Sequence, residues 1–281
     1  MKANKTMRTC YIKNEDIKII NPVRKALLER KVSFGSWIQI GHPAVAEILS
    51  RTGFEWLAVD MEHTDIDIKS FCGTIRGMHG RGAIPLARVR ENDVLAIRQV
   101  LDSGAQGVIV PLINSATEAE RAVKAAKYPP QGIRGFAFCR ANNWGADFDE
   151  YALKANQNTT VIVMIESRQA VKCINEILSV EGVDGVFIGP YDMSGSYGVT
   201  GQISHPDIVK ACRTVSAACE KHGKSAGLHI VRPDEKQIKE AVQAGFTFIA
   251  LGMDTVFLDV TPRKLMETAG QLCKNMNSGN R

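Results

Sequence analysis

Hydrophobic and polar positions follow a repeated two-part pattern along this chain. Short runs rich in β-branched and other apolar residues are each followed by about 10 to 15 residues with helical periodicity. A continuous apolar run is typical of a strand that is buried on both faces. Eight such runs predict strands at residues 33–39, 54–60, 83–89, 107–112, 160–166, 185–189, 225–230 and 246–251.

The segments between these runs predict helices. Six have clear apolar spacing, at residues 44–51, 94–101, 118–127, 169–178, 208–221 and 235–244. Thr117 and Asp234 are candidate N-caps, since their side-chain oxygens can accept a backbone amide of the first turn. Glycines stand where helices should end, a position that favours a left-handed backbone: Gly53, Gly104, Gly182, Gly223 and Gly245.

Eight buried strands alternating with helices predict a (β/α)8 barrel, a TIM barrel, as one domain over residues 21–281. A doubly wound sheet uses the same elements, but the first predicted strand is followed by IGHPAVAEI rather than by a GxGxxG turn. Residues 1–20 are predicted to be a basic extension. The longest irregular insertion, residues 128–144, follows the fourth strand, where a barrel would place a lid or a subunit contact.

The net charge of +5 does not indicate a nucleic-acid partner. Residues 1–32 hold nine Lys or Arg and three Asp or Glu, so the remainder of the chain carries −1, whereas nucleic-acid binding needs a basic folded face. No apolar run approaches the roughly 18 to 20 residues that span a bilayer, and the first residues lack the apolar core of a secretory signal. The seven cysteines are scattered without a CxxC pair, which is typical of a reducing compartment. A cytoplasmic protein that binds neither nucleic acid nor membrane is expected.

Two carboxylates are the strongest candidates for chemistry, because active sites of barrels lie at the carboxyl ends of the strands. Glu166 and Asp192 follow the neighbouring fifth and sixth predicted strands. They must repel each other unless a cation, a proton or an arginine lies between them. A divalent ion, Mg²⁺ or Mn²⁺ with Co²⁺ as a further candidate, would keep coordination positions for water and substrate. Alternatively, one carboxylate caps the next helix and the other pairs with a basic residue.

A histidine and an arginine also follow predicted strands. His63 follows the second strand and is either an acid/base group or simply a hydrogen-bonded residue. Arg88 ends the third strand and either faces a developing oxyanion or forms an ion pair at the barrel mouth. No lysine ends any of the eight strands, so a Schiff-base mechanism is not expected.

Several segments together resemble a known family. They are NPVRKAL, GSWIQIGHP, GFEWLAVDMEH, LDSGAQGVIVP, YPPQGIRG, GVDGVFIGPYDMSGSYG, the HP at 205–206 and GKSAGLH, and they span about residues 21–258. The chain resembles the HpcH/HpaI aldolases, class II metal-dependent pyruvate aldolases that include hydroxy-oxo-heptanedioate and 2-dehydro-3-deoxyglucarate aldolases and, more distantly, macrophomate synthase. The combination of DxEH, LDxGAQ and GPxDxS at these spacings makes the resemblance specific.

The resemblance implies roles for individual residues. Glu166 and Asp192 would bind the metal, His63 would be the acid/base group and Arg88 would face the enolate oxygen. The remaining implied residues are Asp102, which would orient His63, the loop of Gly189, Pro190 and Tyr191, which would hold the pyruvate carboxylate, and Met164, which stands in the pocket where the family commonly has Gln. A homo-oligomer, commonly a hexamer, is also implied.

The implied reaction is cleavage or formation of a 4-hydroxy-2-keto acid from pyruvate and an aldehyde through an enolate. An oxaloacetate decarboxylase or a macrophomate-synthase-like enzyme is an alternative with the same chemistry. A non-catalytic binding barrel is an alternative from another class, and the complete set of site residues argues against it. A coenzyme A ester lyase would need a basic groove that the sequence lacks. Arg90 and Glu91 replace residues that are usually Pro and Trp, so Arg90 either reads a charged or hydroxylated aldehyde or pairs with Glu91 in solvent.

Overall fold

Eight parallel strands form a closed barrel in this computed structural model, which describes residues 21–278. The strands pair in sequence order, and the last strand pairs with the first. This closure confirms the predicted TIM barrel and excludes the doubly wound sheet, while the predicted extension of residues 1–20 lies outside the described residues. The strands are β1 (Ser33–Ile38), β2 (Trp56–Asp60), β3 (Ile84–Arg88), β4 (Gly107–Val110), β5 (Thr160–Ile165), β6 (Gly185–Ile188), β7 (Ser225–Ile230) and β8 (Phe248–Met253).

Twelve α-helices connect or flank these strands in residues 21–278. They are α1 (Pro22–Leu28), α2 (Pro43–Leu49), α3 (Ile68–Met78), α4 (Val94–Asp102), α5 (Ala116–Ala126), α6 (Phe148–Asn158), α7 (Arg168–Lys172), α8 (Ile174–Leu178), α9 (Pro190–Ser196), α10 (Pro206–Lys221), α11 (Glu235–Gln243) and α12 (Asp254–Ser278). The six predicted helical segments are helical, although the one at 169–178 is divided into α7 and α8. All five predicted C-terminal glycines have positive φ.

The two predicted N-caps have different outcomes. Asp234 caps α11 by accepting the Gln237 amide at 2.7 Å. The prediction for Thr117 is wrong because α5 begins two residues earlier than predicted, at Ala116, and the hydroxyl of Ser115 accepts the Glu118 amide at 3.2 Å instead.

Large side chains fill the barrel interior. Trp56 stacks on Phe248 with ring centroids 4.0 Å apart, and both side chains are fully buried. Gly35 leaves the space for the indole, since a Cβ there would lie 2.0 Å from Trp56 Cδ2. Helix α1 closes the amino-terminal end of the barrel, because Val23 and Leu27 pack into the same inner cluster. The interior is therefore solid, and substrates can approach only the carboxyl ends of the strands.

The long insertion lies at the opposite end of the molecule from the predicted position. It follows α5 rather than β4, and α5 has already returned the chain toward the amino ends of the strands. Arg140 in the insertion donates to the Ser103 carbonyl at 3.1 Å, and Ser103 follows the end of α4. A lid over the barrel mouth is therefore excluded for residues 128–144, whereas a subunit contact remains compatible with this position.

Helix α12 extends beyond the barrel. Its side chains from Leu258 to Met276 include large exposed apolar residues, among them Leu265, Met266 and Leu272, which are 65%, 70% and 58% exposed. Across residues 21–278, no helix combines the length and the apolarity that crossing a membrane requires.

We predict that Gly35→Ala destabilises the protein by about 1 to 3 kcal/mol, because the stacked Trp56 ring cannot move away from the new methyl group. The urea midpoint should fall accordingly. Gly73→Ala in α3 is the matched control, since its Cβ would meet Pro43 at an ordinary 3.5 Å. An unchanged midpoint for Gly35→Ala would show that the barrel interior is not tightly packed around Trp56.

Candidate active site

Asp60 organises the carboxyl end of β2. It is fully buried, and its carboxylate accepts the backbone amides of Glu62 and His63 at 3.1 and 3.3 Å. It also accepts from the Gln39 side chain at 3.2 Å. These bonds turn the chain sharply after the strand, and the turn places the Glu62 and His63 side chains at the barrel mouth.

Arg88 ends β3 beside Asp60 and forms a two-point ion pair with it. Its Nε and Nη2 atoms lie 2.9 and 2.6 Å from the two Asp60 oxygens, and the guanidinium lies 4.7 Å from the centre of the Trp37 ring. Burial alone would raise the pKa of Asp60, but the hydrogen bond and charge of Arg88 hold that pKa below its ordinary value. Arg88 therefore forms the ion pair at the barrel mouth that the sequence analysis gave as one alternative. Its third nitrogen, Nη1, does not contact Asp60.

Glu62 is a site residue that the sequence prediction missed. Its carboxylate lies 3.4 Å from Arg88 Nε and 3.6 Å from His63 Nε2. Burial raises the pKa of Glu62 to about 7, with Arg88 opposing and the charges of Asp60 and Asp192 adding to the shift. Its place two residues after Asp60, at the same barrel end, is the signal that could have identified it.

Glu166 follows β5 and is held in a backbone cradle. Its side chain is buried, and Oε1 accepts the Leu112 amide at 2.6 Å. Leu112 has a φ of 57°, a strained conformation for a branched side chain, which turns its amide toward the carboxylate. The other carboxylate oxygen, Oε2, lies against Gly189, where a side chain would not fit because its Cβ would be 2.9 Å from that oxygen. Glu166 therefore has one oxygen engaged and one at the start of the β6–α9 loop.

Asp192 lies in the first turn of α9, in the loop that also contains Gly189, Pro190 and Tyr191. Its charge and that of Glu62 act on Glu166, whose pKa burial raises to about 7 while the Leu112 hydrogen bond opposes the shift. The structure thus brings three carboxylates into electrostatic contact at one mouth. Across residues 21–278, no three acidic, histidine or cysteine side chains lie together in an arrangement that could hold a metal ion.

The other predicted pocket residues lie around these carboxylates. Met164 is buried inside the barrel, with its Cε 3.7 Å from the Cβ position of Gly189. Tyr191 is 56% exposed at the mouth. The His63 side chain is 57% exposed, so solvent and small molecules can reach it.

Asp102 does not lie at this mouth. It is the last residue of α4, and the helices of a barrel run back toward the amino ends of the strands. Its carboxylate pairs with the buried guanidinium of Arg134 at 2.8 Å, which in turn stacks 4.5 Å from the Tyr128 ring. Within one chain, the predicted hydrogen bond from His63 to Asp102 is therefore not formed, and Glu62 is the carboxylate beside His63.

Arg90 also lies away from the mouth. Its Nη2 donates to the Ile66 carbonyl at 3.0 Å, and its side chain borders a small outer cavity with Ile68 of α3 and Ala96 of α4. Among the described residues Arg90 has no ion pair with Glu91. Arg90 and Glu91 are both exposed, as the second interpretation expected, but they do not pair with each other. The first interpretation, in which Arg90 reads the aldehyde, is not supported because Arg90 borders the outer cavity.

The carboxylates predict a specific pH dependence of stability. A carboxyl group with a raised pKa takes up a proton on folding, so stability falls as the pH rises from the ordinary value of 4.5 to the folded value of about 7. Metal-free protein should therefore be less stable at pH 8 than at pH 5. Glu166→Gln should remove up to about 3 kcal/mol of this difference in the free energy of unfolding. Glu150→Gln, at an exposed carboxylate, is the control that should retain it; equal pH dependence in both variants would contradict the shift.

Comparison with known proteins agrees with this site. A model of the HpcH/HpaI aldolase/citrate lyase family matches residues 33–259. A 5-keto-4-deoxy-D-glucarate aldolase from Shigella sonnei is 35% identical over 248 residues, which cover 88% of this chain and 96% of that protein. An HpcH/HpaI aldolase/citrate lyase family protein from Burkholderia cenocepacia is 30% identical with a TM-score of 0.85, over 89% of this chain and 99% of that one. Macrophomate synthase, 21% identical with a TM-score of 0.81 over 94% and 93% of the two chains, shares the fold. This chain therefore belongs to the HpcH/HpaI aldolase/citrate lyase family and is a lyase.

Proposed function

We propose that this enzyme cleaves and forms 4-hydroxy-2-keto acids from pyruvate and a polar aldehyde at the mouth of its barrel, with a divalent cation held by Glu166 and Asp192. The observation that carries this proposal is the group of three carboxylates, Glu62, Glu166 and Asp192, beside the partly buried Arg88. The named relative acts on a keto-deoxy sugar acid, which is a substrate of this chemical class.

The carboxylates fit a hard divalent ion. Glu166 directs one oxygen to the Leu112 amide and the other to the space that Gly189 leaves without a side chain. Burial raises the pKa of Glu166 to about 7, and the shift is increased by the nearby negative charge of Glu62 and Asp192. Mg²⁺, Mn²⁺ or Co²⁺ would balance this charge and, when bound, supplies a Lewis acid for the two oxygens of a 2-keto acid. Two protein ligands leave most of the octahedral positions for that substrate and water.

Arg88 is positioned to stabilise negative charge on the keto oxygen as it develops. Asp60 holds two of the three guanidinium nitrogens, so the cation cannot rotate away from the mouth. Nη1 is the nitrogen left for the substrate. A charge fixed before the reaction stabilises the transition state without reorganisation at the moment of bond cleavage.

His63 is the proposed proton carrier. Cleavage requires that a base takes the proton of the 4-hydroxyl group and that an acid returns a proton to C3 of the enolate. His63 Nε2 is placed to do both because the side chain is exposed at the mouth, with the Glu62 carboxylate 3.6 Å away. The backbone of Gly189, Pro190 and Tyr191 is proposed to hold the pyruvate carboxylate, with Met164 as the apolar floor.

The metal site is tested by calorimetric titration. Mg²⁺ or Mn²⁺ should bind wild-type protein with one site and should show no specific binding to Glu166→Ala, because the buried member of the proposed ligand pair is lost. Glu150→Ala, a change of the same kind on exposed α6, should bind as wild type. Unchanged affinity in Glu166→Ala would refute the ligand assignment. Aldol activity should stop with a chelator and return with metal.

A second test concerns Arg88. Arg88→Lys keeps the charge but loses the planar fork that binds Asp60 while facing substrate, so kcat/KM for aldol cleavage should fall about 100-fold or more. The matched control is Arg90→Lys, at an arginine that lies outside the mouth, and it should change kcat/KM by no more than a few fold. Similar rates for the two variants would make Arg88 a structural residue. Oxaloacetate assayed alongside separates aldol cleavage from decarboxylation.

We also propose a homo-oligomer, with a hexamer expected. The insertion exposes Phe136, Phe138 and Trp144 at 52%, 72% and 67%, and Trp144 borders a groove of about 1060 Å³ at the amino ends of β3 and β4. Helix α12 adds a further exposed apolar face. Apolar surface of this extent is typical of an interface.

Light scattering should therefore give about 185 kDa, six times the chain mass of 30.8 kDa. Phe138→Asp with Trp144→Asp should lower this mass, since both changes place charge in the proposed interface. A wild-type mass near 31 kDa at micromolar concentration would refute the oligomer. The proposed location remains the cytosol, as the scattered cysteines suggest.

A further inference from the structure

His229 is a titratable residue inside the barrel that the proposed mechanism does not use. It lies on β7, where Gly227 pairs with Phe248 and His229 with Ala250 of β8. Paired residues of parallel neighbours point to the same face, and Phe248 and Ala250 belong to the inner cluster. The imidazole therefore enters the barrel at the last inward position of β7, next to the mouth.

A backbone carbonyl fixes the tautomer of this imidazole. Nε2 lies 3.1 Å from the Gly252 oxygen, which can only accept, so Nε2 carries the proton and Nδ1 keeps its lone pair. Burial lowers the pKa of His229 to about 4, with the charge of Arg88 adding to the shift and the Gly252 hydrogen bond opposing it. At neutral pH the ring is uncharged. In the described part of the chain Nδ1 has no hydrogen-bond partner.

The same aromatic side chain contacts His229 and Arg88. The Trp37 ring lies 6.1 Å from the His229 ring and 4.7 Å from the Arg88 guanidinium. Phe187 packs edge-on against Trp37 at 5.4 Å. Nδ1 is thus a hydrogen-bond acceptor set in an aromatic wall, on the same mouth as the catalytic arginine.

The chemistry of the two substrate halves decides which half can use this acceptor. Pyruvate presents only oxygens that accept hydrogen bonds, so it has nothing to donate to Nδ1. An aldehyde with a hydroxyl group presents a donor. A carboxylate on the aldehyde would be repelled by the lone pair rather than bound.

We propose that Nδ1 of His229 accepts a hydrogen bond from a hydroxyl group on the aldehyde half of the substrate, which makes His229 a specificity-determining residue for hydroxyaldehydes. This inference rests on the proposed aldol function. It identifies the class of aldehyde by one feature, a hydroxyl donor near the carbonyl carbon. A deoxy analogue would leave Nδ1 unpaired when the aldehyde excludes water from the wall.

The test compares two acceptors of equal size with saturating pyruvate. Glycolaldehyde and propanal differ by a hydroxyl group in place of a methyl group. The ratio of their kcat/KM values, measured within one protein, cancels any common effect on pyruvate, metal or folding. Wild type should favour glycolaldehyde, and His229→Leu and His229→Phe should each lower the ratio about tenfold. The two replacements differ in shape, so the test does not depend on one variant folding.

His229→Asn provides the rescue. Its amide can donate to Gly252 and still offer an oxygen to the substrate, so it should retain more of the preference than the apolar variants. A ratio that stays at the wild-type value in the Leu or Phe variant overturns the proposal, and so does an equal loss in all three, which would indicate packing alone. If wild type forms no aldol product with either aldehyde or with glyceraldehyde, the proposed function itself fails.

Discussion

The ion pair between Asp60 and Arg88 is the interaction on which the site depends. Asp60 is fully buried, and a buried carboxylate is tolerable only when it is paired and hydrogen-bonded. Arg88 supplies the opposite charge and donates two hydrogen bonds to the Asp60 carboxylate. The backbone amides of Glu62 and His63 donate two more. Loss of either partner would leave a buried charge, at a typical cost of about 3 to 5 kcal/mol. The pair therefore ties β2 to β3 and sets where the following side chains lie.

This pairing has an electrostatic consequence for the rest of the mouth. Arg88, at the centre of the mouth, is paired with Asp60, so its charge only partly offsets burial at Glu62 and Glu166. Asp192 adds a third carboxylate. An excess of negative charge held on rigid strand ends favours a divalent cation over a lysine, because a cation brings open coordination positions as well as charge. The acidic mouth and the family membership thus lead to the same chemistry.

Strand ends could be predicted from the sequence, but the directions of side chains beyond them could not. Apolar runs placed Glu166 and Asp192 just after neighbouring strands, and barrel geometry then brought them to one mouth. Glu62 was missed because its burial depends on the turn that Asp60 forms. The prediction of α4 did not show where Asp102 lies within one chain, since a helix that returns along the barrel carries its last residue to the far end. The direction of the Arg90 side chain could not be predicted from the apolar pattern, because it depends on a hydrogen bond to the Ile66 carbonyl in another part of the chain.

The most direct measurement of this account is the exchange of pyruvate methyl protons for solvent deuterium, followed by proton NMR with no aldehyde present. Enolate formation is then the only step observed. The account predicts exchange with Mg²⁺, its loss on chelation, and its loss in Glu166→Gln at any Mg²⁺ concentration that saturates wild type. Exchange that continues at the same rate without a divalent cation would contradict the claim that the acidic mouth works by holding one.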